Sequence, residues 1–190
     1  ELPFFGKLFS AASTAVPQVN FPLTCLPISF LVLSAVFFTF VRIAGGVALK
    51  ELLGFPDNIV TAEVASRIAS VVHSTILCPG LIAAFMAHKY SPTEHISKAK
   101  NKKWQDLVNA LLEYCTGYML SDAITILLKL AGPEGSIVPS NLSPMDMLFL
   151  AHHAATITYM TQARSYKAGH MSAMMCMLLG ELSNPVWNSY

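Results

Sequence analysis

Apolar residues run along this chain in long blocks broken by short polar connections, and a few ionisable residues recur inside the blocks. A helix of about twenty apolar residues crosses the ~30 Å hydrocarbon core of a bilayer. Five stretches approach that description. The first, Phe21–Val41, holds no charge, and the second, Ala62–Ala87, holds Glu63, Arg67 and His73 with a kink expected at Pro79-Gly80. The third, Leu107–Leu130, contains Glu113 and Asp122; the fourth, Met145–Met160, contains His152 and His153. The fifth, Ala168–Leu179, is rich in methionine and begins near His170. Ser143-Pro144 with Asp146 just behind predicts the fourth helix start: a cap, an N1 proline and an acid on the helix dipole. Residues 44–55 predict a short amphipathic or interfacial helix. No alternating strands suited to a barrel are present, and helices satisfy their own backbone groups in lipid. The expected fold is therefore all-α, a polytopic transmembrane helix bundle of about five spans. Residues 1–20 form an N-terminal cytosolic segment and residues 21–190 the membrane domain.

Composition strengthens that expectation. The chain is 54% hydrophobic and 12% charged, with a mean hydropathy of +0.52. Soluble domains are about one quarter charged, so a soluble nucleic-acid-binding module is excluded. Cys25, Cys78, Cys115 and Cys176 lie apart in apolar surroundings and read as small core residues, with no metal-ligand spacing. The first nineteen residues lack the pattern of a signal peptide. The net charge of +1 matters less than its distribution. Lys89, Lys98, Lys100, Lys102 and Lys103 crowd the 88–106 loop, and Arg164 and Lys167 lie between the last two stretches. The positive-inside rule places both loops, and the N-terminus, in the cytosol.

An ionisable side chain at the bilayer centre costs at least ~2.5–3.5 kcal/mol, so such groups face a bundle interior or a cavity. At about 100° per residue, Glu63, Arg67, Ser70 and Ser74 share one stripe, with His73 at its edge. A Glu63–Arg67 salt bridge with serines between helices is the structural alternative there. His152, Thr156 and Tyr159 form another stripe, with His153 about 100° away. One histidine then faces a cavity while the other bonds a neighbouring helix. Asp122 is a natural partner for either, orienting the imidazole as a general base or simply holding it in place. Glu113 falls on the opposite face and reads as interfacial. There is one His-His pair and no second histidine box, no zinc-ligand spacing, no P-loop and no nucleophile elbow.

The series Arg67…Ser70…His73, then Gly117-Tyr118-Met119-Leu120-Ser121-Asp122, then His152-His153, then Glu181-Leu182-Ser183-Asn184-Pro185…Asn188 resembles the TLC-domain family. The resemblance covers most of the chain, from the second stretch onward, and is nearest to small plant members. It implies a multi-span protein of the endoplasmic reticulum or a related membrane, in a family whose members usually have one or two further spans. The family includes ceramide synthases, translocon-associated proteins and lipid-homeostasis proteins. Ceramide synthases follow the histidine pair with a His-Asp element and further acids. Here the corresponding stretch, Gly169-His170-Met171-Ser172-Ala173-Met174-Met175, has no acid before Glu181.

The resemblance therefore implies, first, a non-enzymatic protein of lipid homeostasis that binds or senses a membrane lipid (a sphingolipid, phospholipid or acyl chain). Arg67, His73, Asp122, His152, His153 and Glu181 would line its cavity, with no cofactor and no nucleic-acid partner. The alternative is a membrane acyltransferase, in which His152 or His153 is the base, Asp122 orients it and acyl-CoA is a substrate. A third reading is an accessory role beside a translocon or cargo.

Overall fold

The computed structural model describes residues 29–87, 95–131 and 136–182, with positions 4, 6 and 7 and a two-stranded antiparallel pairing of Asn20–Phe21 with Leu26–Pro27. Most of the expected cytosolic segment 1–20 lies outside the described residues. The described residues hold five α-helices: α1 (Ser29–Leu53), α2 (Ile59–Ala87), α3 (Lys102–Leu128), α4 (Pro144–Tyr166) and α5 (His170–Glu181). The architecture is the all-α bundle expected from the pattern.

Three helices are long and apolar enough to cross a membrane. They are Phe30–Leu53, Ile59–Ala87 and Lys102–Leu128, each holding an 18-residue stretch of mean hydropathy 2.0, 1.8 and 1.2 respectively. The twelve residues of α5 extend only ~18 Å at 1.5 Å per residue, so that helix by itself falls short of the hydrocarbon thickness.

The first helix differs from expectation. In place of a span ending at Val41 and a separate element over 44–55, one helix runs from Ser29 to Leu53. Gly45 and Gly46 do not break it, because they face α2, where a Cβ on Gly45 would already touch Ile68 and Ala65. Small residues bring the two backbones together. The helix ends at Gly54, whose φ of +67° is left-handed. The N–H groups of Gly54 and Phe55 then return to the carbonyls of Lys50 and Leu49. Asn58 opens α2 by accepting from the Val60 and Thr61 N–H groups. That helix continues through Pro79.

The fourth helix starts as its sequence predicts. Ser143 and Asp146 form a reciprocal capping box with proline in the first turn. Asp146 also accepts from Lys129 at 2.7 Å, tying α4 to the end of α3.

Helix α3 is the central element and packs on all four others. Its Gly117 lies against α1 so closely that a Cβ would stand 2.5 Å from the Leu31 carbonyl oxygen and 2.9 Å from the Ala35 nitrogen. Buried Trp104 donates to the Ala84 carbonyl at 2.9 Å, fixing α3 against the far end of α2. At that same end the Ile96 N–H donates to the Lys167 carbonyl at 2.7 Å, so the 95–98 turn and the α4–α5 connection join.

Candidate functional site

Three groups of polar residues lie within the helix packing. The first gathers around Glu113. Its carboxylate pairs with Arg164 of α4, both side chains almost fully buried, and faces the Leu31 N–H in the first turn of α1. First-turn N–H groups lack helical partners and carry partial positive charge, so the acid has a cation on one side and a helix terminus on the other. Glu113 is therefore a packing element buried between helices. It does lie on the face opposite Asp122, but α3 is covered on both faces. Nearby, His170 opens α5, with Nε2 3.3 Å from Asn109 Oδ1.

The second group is built on Asp122. One carboxylate oxygen pairs with Arg42 of α1, and the other lies 2.7 Å from His153 Nε2. Arg42 also donates to Ser121 Oγ at 2.6 Å, and Ser121 meets Thr39 Oγ1 at 3.0 Å. The expected partnership between Asp122 and a histidine is present, and His153 is the histidine that takes it. Arg42 was missed because the first span was drawn to end one residue before it. A single arginine in a run that stays apolar to Leu49 was the signal that could have found it.

The third group centres on His73 and Glu181. The imidazole of His73 is completely buried and stacks on Tyr118 at 4.0 Å and Tyr114 at 5.4 Å, with Phe38 edge-on. Its Nε2 is 3.5 Å from Glu181 Oε1, outside hydrogen-bond geometry, while Ser74 Oγ donates to Glu181 Oε2 at 2.7 Å. Four helices thus meet around one acid at the end of α5.

Glu181 also lines a half-open groove of about 390 Å³ between α3, α4 and α5. His152, Thr156 and Tyr159 line it from α4, together with Cys176 of α5. The remaining wall is methionine, alanine and glycine, including Met119, Met160 and Met177. His152, Tyr159 and Cys176 are exposed, so the mouth opens away from the bundle axis between α4 and α5.

The six residues expected to line one cavity are therefore divided. His152 and Glu181 face the groove, and His73 stands behind Glu181. Asp122 and His153 belong to the group with Arg42. Arg67 is exposed, as is Glu63, with no ion pair between them among the described residues. The stripe expected on α2 is present, since Ser70 and Ser74 are buried. However, α5 ends beside Ser74, and no described helix covers the stripe further toward Arg67. Among the described residues no cluster of three or more histidine, cysteine or acidic side chains is arranged to hold a metal ion.

A family model described as the TLC domain matches residues 63–189, about two thirds of the chain. The match begins within α2, so α1 and its Arg42 precede it. No curated protein and no solved structure matches the chain.

Proposed function

The chain belongs to the TLC-domain family, and from that premise we propose that it binds a membrane lipid in the groove between α3, α4 and α5 and serves lipid homeostasis. It is an integral membrane protein, and the endoplasmic reticulum is the membrane we assign to it. The observation that carries the reading is the pairing of His152 with Glu181 on one groove whose other walls are methionine and small residues. Concave, mostly apolar sites with a few convergent polar groups are the usual form of a ligand site. The mouth between α4 and α5 suits lateral entry from the bilayer. The junction of the 95–98 turn with the α4–α5 connection supports placing both lysine- and arginine-bearing loops on one side, the cytosolic one.

The acyltransferase alternative needs an acid to orient the groove-facing histidine. Asp122 is engaged instead by His153 and Arg42, which argues against that chemistry at His152. The deciding experiment is mass spectrometry of lipids that co-purify with wild type and with His152→Leu. A defined lipid retained by wild type and reduced about tenfold in the variant, a loss of ~1.4 kcal/mol, is expected. Equal retention rejects the groove as the site. Transfer from labelled acyl-CoA to an amine or hydroxyl acceptor, abolished in His152→Leu, would replace binding with catalysis.

A further inference from the structure

We infer that the lysine-bearing end of the bundle is a binding surface for a membrane lipid whose head carries more than one phosphate, a phosphoinositide in chemical class. Five lysines stand there, Lys98, Lys100, Lys102, Lys103 and Lys167, all of them exposed. Lys102 has Asp106 at 3.6 Å on the next turn of α3, an exposed pair of small energetic weight. The other four have no ion pair among the described residues. Residues 88–94, which precede the turn in sequence, hold one lysine and one acid, Lys89 and Glu94, and so leave the balance of charge unchanged. None of the five lysines lines the groove, so this surface is separate from the lipid site proposed above.

Order separates this end from a topology signal. The positive-inside rule counts charges and is satisfied by lysines on any loop, whereas here the backbone that carries them is pinned. Ile96 and Ala99 are buried to either side of Lys98, and Trp104 is fully buried directly after Lys103. Gln105 Nε2 donates to the Ala99 carbonyl at 2.6 Å. The bond from the Ile96 N–H to the Lys167 carbonyl brings in a lysine from the far α4–α5 connection. Like charges gathered this way repel one another. Two of them, Lys102 and Lys103, also occupy the first turn of α3, which holds no acid, although a helix start favours negative charge. The occupant follows from position. The 27 residues of α3 extend ~40 Å, from one headgroup layer to the other, so its first lysines stand level with lipid phosphates. Tyr166, 70% exposed beside Lys167, is a residue type enriched at that level. A singly charged head offsets one lysine, but a head with several phosphates offsets several for a single ordering cost.

The test uses the full chain in phosphatidylcholine nanodiscs doped, in separate preparations, with equal mole fractions of phosphatidylserine or phosphatidylinositol bisphosphate. Lipids retained by the protein are counted by native mass spectrometry. Both faces of a disc are accessible, so a signal that acts only during insertion has no effect here. The expected result is retention of the bisphosphate at least about tenfold above phosphatidylserine, ~1.4 kcal/mol, weakening as salt is added. Lys98→Gln/Lys100→Gln/Lys103→Gln, checked by its thermal unfolding, should lower bisphosphate retention at least about tenfold. Should that variant not fold, the wild-type lipid ratio and its salt dependence decide. Equal retention of the two anionic lipids overturns the preference for several phosphates. Undiminished retention in the folded variant overturns the lysine surface, and retention of neither lipid above phosphatidylcholine overturns the inference outright.

Discussion

Glu113 and Glu181 are 4% and 5% exposed, yet the bundle accommodates them in opposite ways. Glu113 meets a guanidinium and a helix N-terminus, and it does not line the groove between α3, α4 and α5. Glu181 meets an imidazole and a hydroxyl, and it borders an open groove. Arginine stays charged at any accessible pH and forms fixed multidentate contacts, so an acid paired with it is committed to structure. Histidine and serine hold Glu181 without the fixed fork of a guanidinium. Asp122 belongs with Glu113 in this respect, because Arg42 pairs with it and His153 takes its other oxygen. The contrast separates the adjacent histidines as well: His153 holds helices together, and His152 faces whatever enters.

Breaking the closed side should have the largest effect. Arg164→Met leaves Glu113 buried without its cation, and removing one partner of a buried pair costs about 3–5 kcal/mol. Thermal unfolding in detergent would show it, and Glu113→Leu combined with Arg164→Met should recover most of the loss. Arg42→Met is expected to cost less, about 1.5–3 kcal/mol for lost bonds to a charged group, because His153 remains on Asp122. Gly117→Ala tests whether the seating of α1 is as tight as its geometry, with overpacking worth ~1–3 kcal/mol in the same unfolding assay. On the open side, Ser74→Ala should cost only about 0.6 kcal/mol, the average for an interhelical hydrogen bond in a membrane. If it matched Arg164→Met, the division into closed and open acids would be wrong.

Much of this was legible in the sequence because local rules coincide with the tertiary arrangement. Ser143, Pro144 and Asp146 specify a helix start through contacts within one turn, and that start forms as expected. The helical offset between His152 and His153 placed one in a groove and one on a neighbouring helix. What could not be read depends on which helix is central. Glu113 is buried on the face opposite Asp122 because α3 has neighbours all round, which the pattern along α3 alone does not show. Arg67 shares a stripe with Ser74, yet burial along that stripe reaches only Ser70, one turn short of Arg67. Arg42 lies one residue beyond the charge-free span Phe21–Val41, whereas the helix runs on through Gly45 and Gly46, which permit close approach to α2.

The Arg42–Asp122 pair also sets a timetable for assembly. The two residues are 80 positions apart, and synthesis at ~5–20 residues per second separates their emergence by roughly 4–16 s. During that interval α1 must enter the membrane with its arginine unmatched. An 18-residue stretch of mean hydropathy 2.0 within the helix offsets an arginine penalty of about 2.5–3.5 kcal/mol on the insertion scale. Until α3 arrives, α1 is an inserted but unfinished helix whose guanidinium is open to water, lipid phosphate or the insertion machinery. The first helix thus gains its partner only from the third, and a delay in delivering α3 prolongs the exposure of that one cation.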